Sequence, residues 1–225
     1  MNKSERYEIK FILNAHELFQ FKQKLILDTT FQNTFESRIV NSIYFDDVNN
    51  MSAADNLSGI SKRKKYRLRW YGKALNDQAN FEVKIRNNKI GYKEYFSLPK
   101  EHEDLNKLEL RYFARMFDRV LDLKYKNPSF QLFPKLQLAY SREYFEDKEG
   151  IRLTIDDQIK FWQIFDESYA YHGTPISYEK KIIELKFAKE LYPNVVNFLR
   201  NTSLLPKRHS KYLVGLAKLG EAKYI

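Results

Sequence analysis

Apolar and polar residues alternate along much of the chain. In Arg6–Leu13 the apolar side chains of Tyr7, Ile9, Phe11 and Leu13 alternate with polar ones. A period of two is typical of a β-strand that buries one face. The same pattern predicts further strands at Ile39–Phe45, Lys65–Tyr71, Asn80–Arg86, Ile90–Phe96, Lys135–Phe145, Ile151–Asp156 and Ile182–Phe187. About eight such strands predict an α+β fold, in which a closed antiparallel β-barrel forms a tunnel with surrounding helices.

Other segments have the apolar spacing or the capping residues of helices. Asn14 and Glu17 have the spacing of a capping box, which predicts a helix from there to about Leu27. An amphipathic pattern predicts a second helix over Glu103–Leu123. Two more are predicted near the end of the chain: Ala188–Leu199, with Pro193 in its first turn, and Ser210–Ala222, with Ser210 as its cap.

The sequence predicts a single domain, residues 1–225, because it has no Gly/Ser/Pro-rich linker, low-complexity tract or internal repeat. It contains no cysteine, which excludes disulfides, thiol nucleophiles and cysteine-bound zinc. No stretch resembles a signal peptide or reaches membrane-spanning length, so a cytoplasmic location is expected. The absence of GxxxxGKS/T and GxGxxG motifs argues against P-loop and Rossmann sites.

The charge balance is strongly basic: 39 Lys and Arg against 29 Asp and Glu give a net charge of +10. An anionic partner is expected, and charge alone leaves nucleic acid, anionic membranes and phosphorylated molecules open. Basic residues recur on the polar faces of successive predicted strands, as at Arg67 with Arg69 and Lys84 with Arg86. Such positions either face solvent or line a cavity, and repulsion between adjacent like charges favours a cavity that holds a polyanion. The run at 62–65 is either a solvated charge cluster or an attractor of polyanions to the cavity mouth.

Carboxylates are interleaved with these cations at Glu8, Glu82 and Glu184. Their oxygens suit Mg²⁺ or Mn²⁺, which often bridge to phosphates. Arginine binds two phosphate oxygens at once with its planar fork, and lysine acts as a compact point charge. Cations, carboxylates and a metal together fit phosphoryl transfer, which depends mainly on positioning and charge neutralisation.

Ordered motifs over nearly the whole chain resemble the VTC domain, the polyphosphate polymerase domain of the triphosphate tunnel metalloenzyme superfamily. The motifs are RYEIKF, SIYFDD, KYRLRWYG, FEVKIR followed by GYKEYF, LAYSREYF, RLTIDD, IELKF and KRHSKY. Each motif alone is weak, but their order and spacing are specific. The resemblance implies a tunnel in which ATP phosphates are held and the γ-phosphoryl group passes to a growing polyphosphate chain.

The resemblance also implies site roles for residues that match the family motifs. Catalytic roles fall to Lys10, Arg67, Arg69, Lys84, Arg142, Arg152 and Lys211. Substrate-binding roles fall to Arg6, Lys93, Tyr140, Lys186 and Arg208. Metal-binding roles fall to Glu184, Glu8 and Glu82, with Mn²⁺ or Mg²⁺ as the cofactor. Asp46 and Asp47 are interpreted as residues that end a strand and begin a turn. Asp156 and Asp157 are interpreted as turn residues, with metal contact as the alternative.

The sequence departs from the family pattern in two places. Arg208 stands where the closing motif has a lysine. The first strand has Arg6, Glu8 and Lys10 where the triphosphatase and cyclase branch has two glutamates before the lysine, and this favours the polymerase branch.

Three functions remain open from the sequence: a metal-dependent polyphosphate polymerase, a tunnel triphosphatase, and a non-catalytic polyphosphate-binding module. The expected partners are ATP or inorganic triphosphate, and polyphosphate. Nucleic acid is not expected, because the chain has no helix-turn-helix, RNP-like or zinc-finger signature. No membrane span is predicted in this chain. The sequence does not exclude a partner protein in a membrane.

Overall fold

The computed structural model describes residues 6–27, 31–72, 75, 79–88, 90–98, 109–125, 131–164, 173–200, 202 and 204–221. Within these ranges the chain forms nine strands and five α-helices, which confirms the α+β class. In chain order they are β1 (Arg6–Leu13), α1 (Ala15–Leu27), β2 (Phe31–Asp46), α2 (Met51–Ser58), β3 (Lys62–Tyr71), β4 (Asn80–Asn87), β5 (Ile90–Ser97), α3 (Leu110–Tyr125), β6 (Phe133–Asp147), β7 (Arg152–Gln163), β8 (Ile176–Tyr178), β9 (Lys181–Ala188), α4 (Tyr192–Arg200) and α5 (Lys211–Lys218). A short 3₁₀ helix, Lys189–Leu191, precedes α4.

All strands belong to one sheet, in the order β1-β9-β7-β6-β2-β3-β4-β5, with β8 paired to β7. The prediction of a closed barrel is wrong, because among the described residues β1 and β5 end the order and are not paired with each other. Alternation predicts which face of a strand is buried, whereas closure depends on hydrogen bonds between strands far apart in sequence.

The predicted elements agree with the structure where local signals are strong. β1 has the predicted bounds. The capping box before α1 is formed, since the Asn14 side chain accepts from the Glu17 amide at 2.9 Å and Glu17 accepts from the Asn14 amide at 2.6 Å. Pro193 is the second residue of α4, as predicted for a first turn. α2 and β8 were not predicted, because α2 is short and its N-cap residue makes no side-chain cap, and β8 has only three residues.

Two predicted helix ends fall partly outside the described residues. α3 begins at Leu110, and the predicted start at Glu103 lies in a range that the structure does not describe. α5 ends at Lys218, and Ala222 is likewise outside the described residues. No helix among those described is long and apolar enough to cross a membrane.

The chain divides into two compact units. This division does not test the prediction of a single domain over residues 1–225, which stays a prediction. The first unit contains residues 1–38, 140–159 and 177–210, and the second contains residues 39–139, 160–176 and 211–225.

The core of the first unit lies between the apolar faces of β1, β7 and β9 and the helices α1 and α4. Phe11, Leu153 and Leu185 are fully buried, and Phe21 of α1 packs with them. Val195 of α4 is buried in the same cluster. Because alternate residues point to opposite faces, the polar residues of these strands lie on the face away from this core.

The core of the second unit lies between the apolar faces of β2, β3 and β4 and the helix α3. Phe117 of α3 stacks on Phe81 with ring centroids 4.4 Å apart, and its edge meets Phe45 and Tyr66. Trp70 is also fully buried there. Large apolar residues of these strands therefore pack under α3, which leaves the basic residues on the opposite face of the strands.

Candidate functional site

In the first unit, the register of three strands sets acidic and basic residues side by side. Lys10 of β1 lies opposite Glu184 of β9, and Glu8 lies opposite Lys186. On the other side of β9, Arg152 lies opposite Lys186. Opposite charges directly across β1 and β9 stabilise this pair of strands, whereas Arg152 and Lys186 are like charges across β7 and β9.

Lys10 is the centre of this arrangement. Its Nζ lies 2.9 Å from Oε1 of Glu8 and 3.4 Å from Oε2 of Glu184, and it donates to the carbonyl oxygen of His209 at 3.4 Å. Burial lowers the pKa of Lys10, but the two carboxylates outweigh burial and the net pKa is raised. Lys10 is therefore charged at physiological pH. Glu184 also forms an ion pair with Lys186.

A second ion pair of the first unit is formed by Arg142 of β6 and Asp156 of β7. The guanidinium donates to both carboxylate oxygens, at 2.5 and 2.7 Å, and lies 5.2 Å from the ring centroid of Tyr140. Asp156 is completely buried within β7, so its interpretation as a turn residue was wrong. Burial lowers the pKa of Arg142, and Asp156 and Tyr140 raise it more, so the pair is ionised. A buried fork of this kind holds Arg142 in one orientation.

Thr154 of β7 lies directly opposite Glu184, and its hydroxyl is buried with no hydrogen-bond partner among the residues that the structure describes. A buried polar atom without a partner is uncommon in folded proteins. Its position beside Glu184 adds a hydroxyl donor and acceptor to this part of the strands.

The remaining predicted residues of the first unit are more exposed. Arg6 is the first residue of β1, and Arg152 forms an exposed ion pair with Glu146 at 3.3 Å. Arg208 is exposed in the segment before α5. This segment lies against β1, because the amide of Lys207 donates to the carbonyl oxygen of Lys10 at 2.8 Å. A backbone hydrogen bond therefore holds the start of the closing motif, KRHSKY, next to Lys10.

The second unit has its own cation cluster, built around Glu82 of β4. Two nitrogens of Arg67 donate to Oε2 of Glu82, Nε at 2.7 Å and Nη2 at a shorter distance. The Nζ atom of Lys93 is 3.5 Å from the same oxygen. Burial raises the pKa of Glu82, but Arg67, Arg69 and Lys93 together lower it to about 2. The carboxylate is thus ionised and holds the cations in place.

Residues of β2 hold the two arginines from the other side. Nη1 of Arg67 donates to the Tyr44 hydroxyl, and Nε of Arg69 donates to Oγ of Ser42, both at 3.3 Å. Both guanidinium groups are largely buried. Burial raises the pKa of Tyr44, but Arg67, Arg69 and Lys211 outweigh it and lower the pKa. The charge of Lys211, the first residue of α5, therefore acts on this cluster.

Asp46 anchors the helices next to this cluster, a role that its interpretation as a turn residue did not include. Its carboxylate accepts from the amides of Ser52 and Ala53, at the start of α2, at 2.9 and 3.0 Å. It also accepts from the hydroxyl of Tyr212 in α5 at 2.8 Å. Tyr212 stacks on Tyr44 with ring centroids 4.8 Å apart. The sequence signal was an aspartate just before a helix, which is favoured at helix N-termini.

The predicted metal ligands are distributed over both units. Glu8 and Glu184 converge on the same Nζ of Lys10, whereas Glu82 is bound by Arg67 in the second unit. No group of three or more His, Asp or Glu side chains placed to hold a metal is found in the part of the chain that the structure describes. Two convergent carboxylates fit Mg²⁺ or Mn²⁺, since such ions are commonly held by one or two carboxylates together with substrate phosphates.

Three solved structures share this fold at low sequence identity. A protein from Pyrococcus horikoshii OT3 superposes with a TM-score of 0.51 at 18% identity, covering 95% of this chain and 99% of that one. A putative adenylyl cyclase from Hippeastrum with a dominant triphosphatase activity has a TM-score of 0.50 at 15% identity, covering 97% of both chains. A putative adenylate cyclase from Vibrio parahaemolyticus has a TM-score of 0.50 at 12% identity, covering 93% and 96%.

The family is shown by the sequence itself. No curated protein sequence matches the chain. The model of the VTC domain, however, matches residues 5–220, which is almost the whole length. This agrees with the ordered strand motifs and with the cation clusters that they form. The chain belongs to the VTC domain family.

Proposed function

We propose that this protein is a polyphosphate polymerase, which transfers the γ-phosphoryl group of ATP to the end of a polyphosphate chain. The observation that carries the proposal is the presence, in each unit, of buried or half-buried cations held by carboxylates on the polar face of the strands. These are the Lys10 cluster and the Arg67 cluster, in a chain that belongs to the VTC domain family.

The arginine and lysine positions suit phosphate groups. A guanidinium is a rigid plane of donors that matches the geometry of phosphate oxygens. Glu82 and Tyr44 fix the orientation of this plane in Arg67. Arg142 is held in the same way by Asp156. Because the carboxylates orient these cations before substrate binds, less ordering is required on binding, and phosphoryl transfer depends mainly on such positioning.

We assign the residues of each cluster to phosphate binding and charge neutralisation. In the first unit these are Lys10, Arg142 and Arg152, with Arg6, Tyr140, Lys186 and Arg208 as further substrate contacts. In the second unit they are Arg67, Arg69, Lys84 and Lys211, with Lys93 as a further contact. In the transfer step, the acceptor phosphate oxygen forms a bond to the γ-phosphorus, the bond to the β-phosphate oxygen breaks, and ADP leaves.

We propose that Glu8 and Glu184 hold Mg²⁺ or Mn²⁺ together with substrate phosphates, and that Glu82 is a further candidate ligand. A bound divalent ion neutralises charge on the phosphates and fixes their geometry. Lys10 contacts both carboxylates, so it holds them close together and is placed to bind the phosphates that accompany the ion.

Transfer to a chain is proposed over hydrolysis because of the first residue of β1. Arg6 stands where the triphosphatase and cyclase branch has a carboxylate, so one fewer ligand is present for a second metal ion. Hydrolysis of a triphosphate is the second candidate, because the Hippeastrum protein of the same fold has a dominant triphosphatase activity.

One assay separates these functions. The purified chain is incubated with ATP and Mn²⁺, and the products are separated by gel electrophoresis and assayed for orthophosphate. Chain growth with ADP release supports the polymerase. Orthophosphate release from ATP or triphosphate without chain growth supports the triphosphatase. Binding of polyphosphate with neither product refutes both and leaves a binding module. The Arg67→Ala variant is expected to lose the activity, and Lys62→Ala, which removes an exposed charge on the same strand, is expected to keep it.

A further inference from the structure

Beyond the Arg67 cluster, the polar face of β3, β4 and β5 has further rows of cations. Lys65 lies directly opposite Lys84, which in turn lies opposite Lys93. Arg63 lies opposite Arg86. Arg67 lies opposite a carboxylate on β4, that of Glu82. In the rows of Lys65 and Arg63, by contrast, the residue directly opposite on β4 is a cation.

Adjacent cations across strands repel one another, so rows of cations in register favour a bound anion on this face of the sheet. The rows are spaced two residues apart along each strand, so they follow one another at about 7 Å intervals along the same face. Together they form a basic track that begins at the Arg67 cluster and ends at Arg63 and Arg86.

The end of the track has room for a ligand. Gly91 of β5 lies opposite Arg86, so the third strand places no side chain beside the two arginines. Among the described residues, a Cβ atom added at Gly91 would meet nothing closer than the Ile85 carbonyl oxygen, at 3.8 Å. The two arginines are oriented by short-range contacts, since Arg63 donates to the carbonyl oxygen of Ile60 at 2.6 Å and Arg86 to that of Asn88 at 3.0 Å.

We infer that Arg63 and Arg86 form a separate anion subsite, which binds the distal phosphates of a polyphosphate chain and gives this protein a preference for long chains over triphosphate. The inference rests on the proposed binding of polyphosphate but not on the transfer step. A triphosphate held at the Arg67 cluster has no further phosphates to reach the last row, whereas a longer chain continues along the lysines to the two arginines.

The test compares affinities of the full chain for inorganic triphosphate and for a long polyphosphate of defined length, by titration calorimetry at fixed ionic strength. The variant is Arg63→Gln with Arg86→Gln. The matched control is Arg115→Gln with Arg119→Gln, which removes two exposed charges on α3. A second variant, Gly91→Glu, adds a carboxylate next to Arg86 without removing either arginine.

The double arginine variant is expected to bind the long chain at least about tenfold more weakly, with a shallower dependence on salt, and to keep its triphosphate affinity. Gly91→Glu is expected to act in the same direction, and the control is expected to keep both affinities. The melting temperature of each variant reports whether it is folded. If the double arginine variant is not folded, Gly91→Glu tests the subsite with both arginines present.

Several outcomes would overturn the inference. An equal loss in the variant and the control would show that only net charge matters, and an equal loss for triphosphate and long chains would show that no separate subsite exists. Unchanged affinities would refute the subsite and leave the proposed function intact. Conversely, a wild-type chain that binds polyphosphate in this pattern but makes none would refute the polymerase and leave the subsite. A wild-type chain that binds no polyphosphate would refute both.

Discussion

Glu82 is the carboxylate on which the cation cluster of the second unit depends, and Glu82→Gln tests this directly. Burial raises the pKa of Glu82, but Arg67, Arg69 and Lys93 lower it from 4.5 to about 2. That fall corresponds to about 3 kcal/mol of stability. Because the pKa in the folded state is depressed, this stabilisation is complete above about pH 4.5 and is lost as the pH falls towards 2.

Glutamine keeps the shape of the side chain and removes its charge, so Arg67 is left buried without its counter-charge. Breaking a buried ion pair in this way is strongly destabilising. For a chain of this size a loss of about 3 kcal/mol lowers the Tm by roughly 6–12 °C. The measurement is thermal unfolding followed by circular dichroism at neutral pH and at several acidic values. The control is Glu146→Gln, whose exposed pair with Arg152 contributes little.

Addition of triphosphate extends the experiment to binding. An anion bound at Arg67 replaces part of the lost negative charge, so triphosphate is expected to raise the Tm of Glu82→Gln by more than that of the wild type. The reasoning is refuted if Glu82→Gln is as stable as the wild type at neutral pH. It is also refuted if the variant and the wild type lose stability identically between pH 4.5 and 2.

Three further changes test local contacts. Gly215→Ala in α5 is expected to destabilise the protein by about 1–3 kcal/mol in thermal unfolding, because the added Cβ would lie 2.8 Å from the Phe161 ring. Helix propensity alone predicts the opposite, a gain in stability. Tyr212→Phe removes the hydroxyl that donates to buried Asp46 and is expected to cost about 1–3 kcal/mol in urea unfolding, and no change would contradict that anchoring role. Asn14→Ala removes half of the capping box and is expected to cost about 1 kcal/mol in the same assay, while Asn14→Asp keeps the acceptor and is expected to cost less.

Much of the fold could be predicted from local signals. The bounds of β1 and the capping box of α1 depend on neighbouring residues only, and both are confirmed. The start of β2 was predicted eight residues too late, at Ile39. Residues 32–39 are all exposed, so their side chains have no buried face from which alternation could predict a strand. Pairing in the sheet, which alternation does not encode, makes this segment a strand.

The candidate site likewise has features that the sequence predicted and features that only the structure revealed. The sequence indicated which residues carry charge and which face of each strand they occupy, and the structure brings Lys10 to Glu8 and Glu184, and Arg67 to Glu82. The roles of these residues in binding and catalysis stay predictions. The partner of Arg142 could not be predicted, because Asp156 is 14 positions away and the motif alone resembled a turn.

The sequence by itself determined the class of fold, the family, and the alternation of a helix-covered apolar face with a basic face. The class of fold and the two faces follow from side-chain period, capping chemistry and charge, which act between residues close in the chain. The family follows from the order of the strand motifs along nearly the whole chain. Only the tertiary structure decided that the sheet is not closed, that Asp46 joins α2 to α5, and that Arg67 and Arg142 are each bound by a particular carboxylate. Such features depend on strand register and on contacts between distant segments, where a shift of one residue would turn every one of these side chains to the other face.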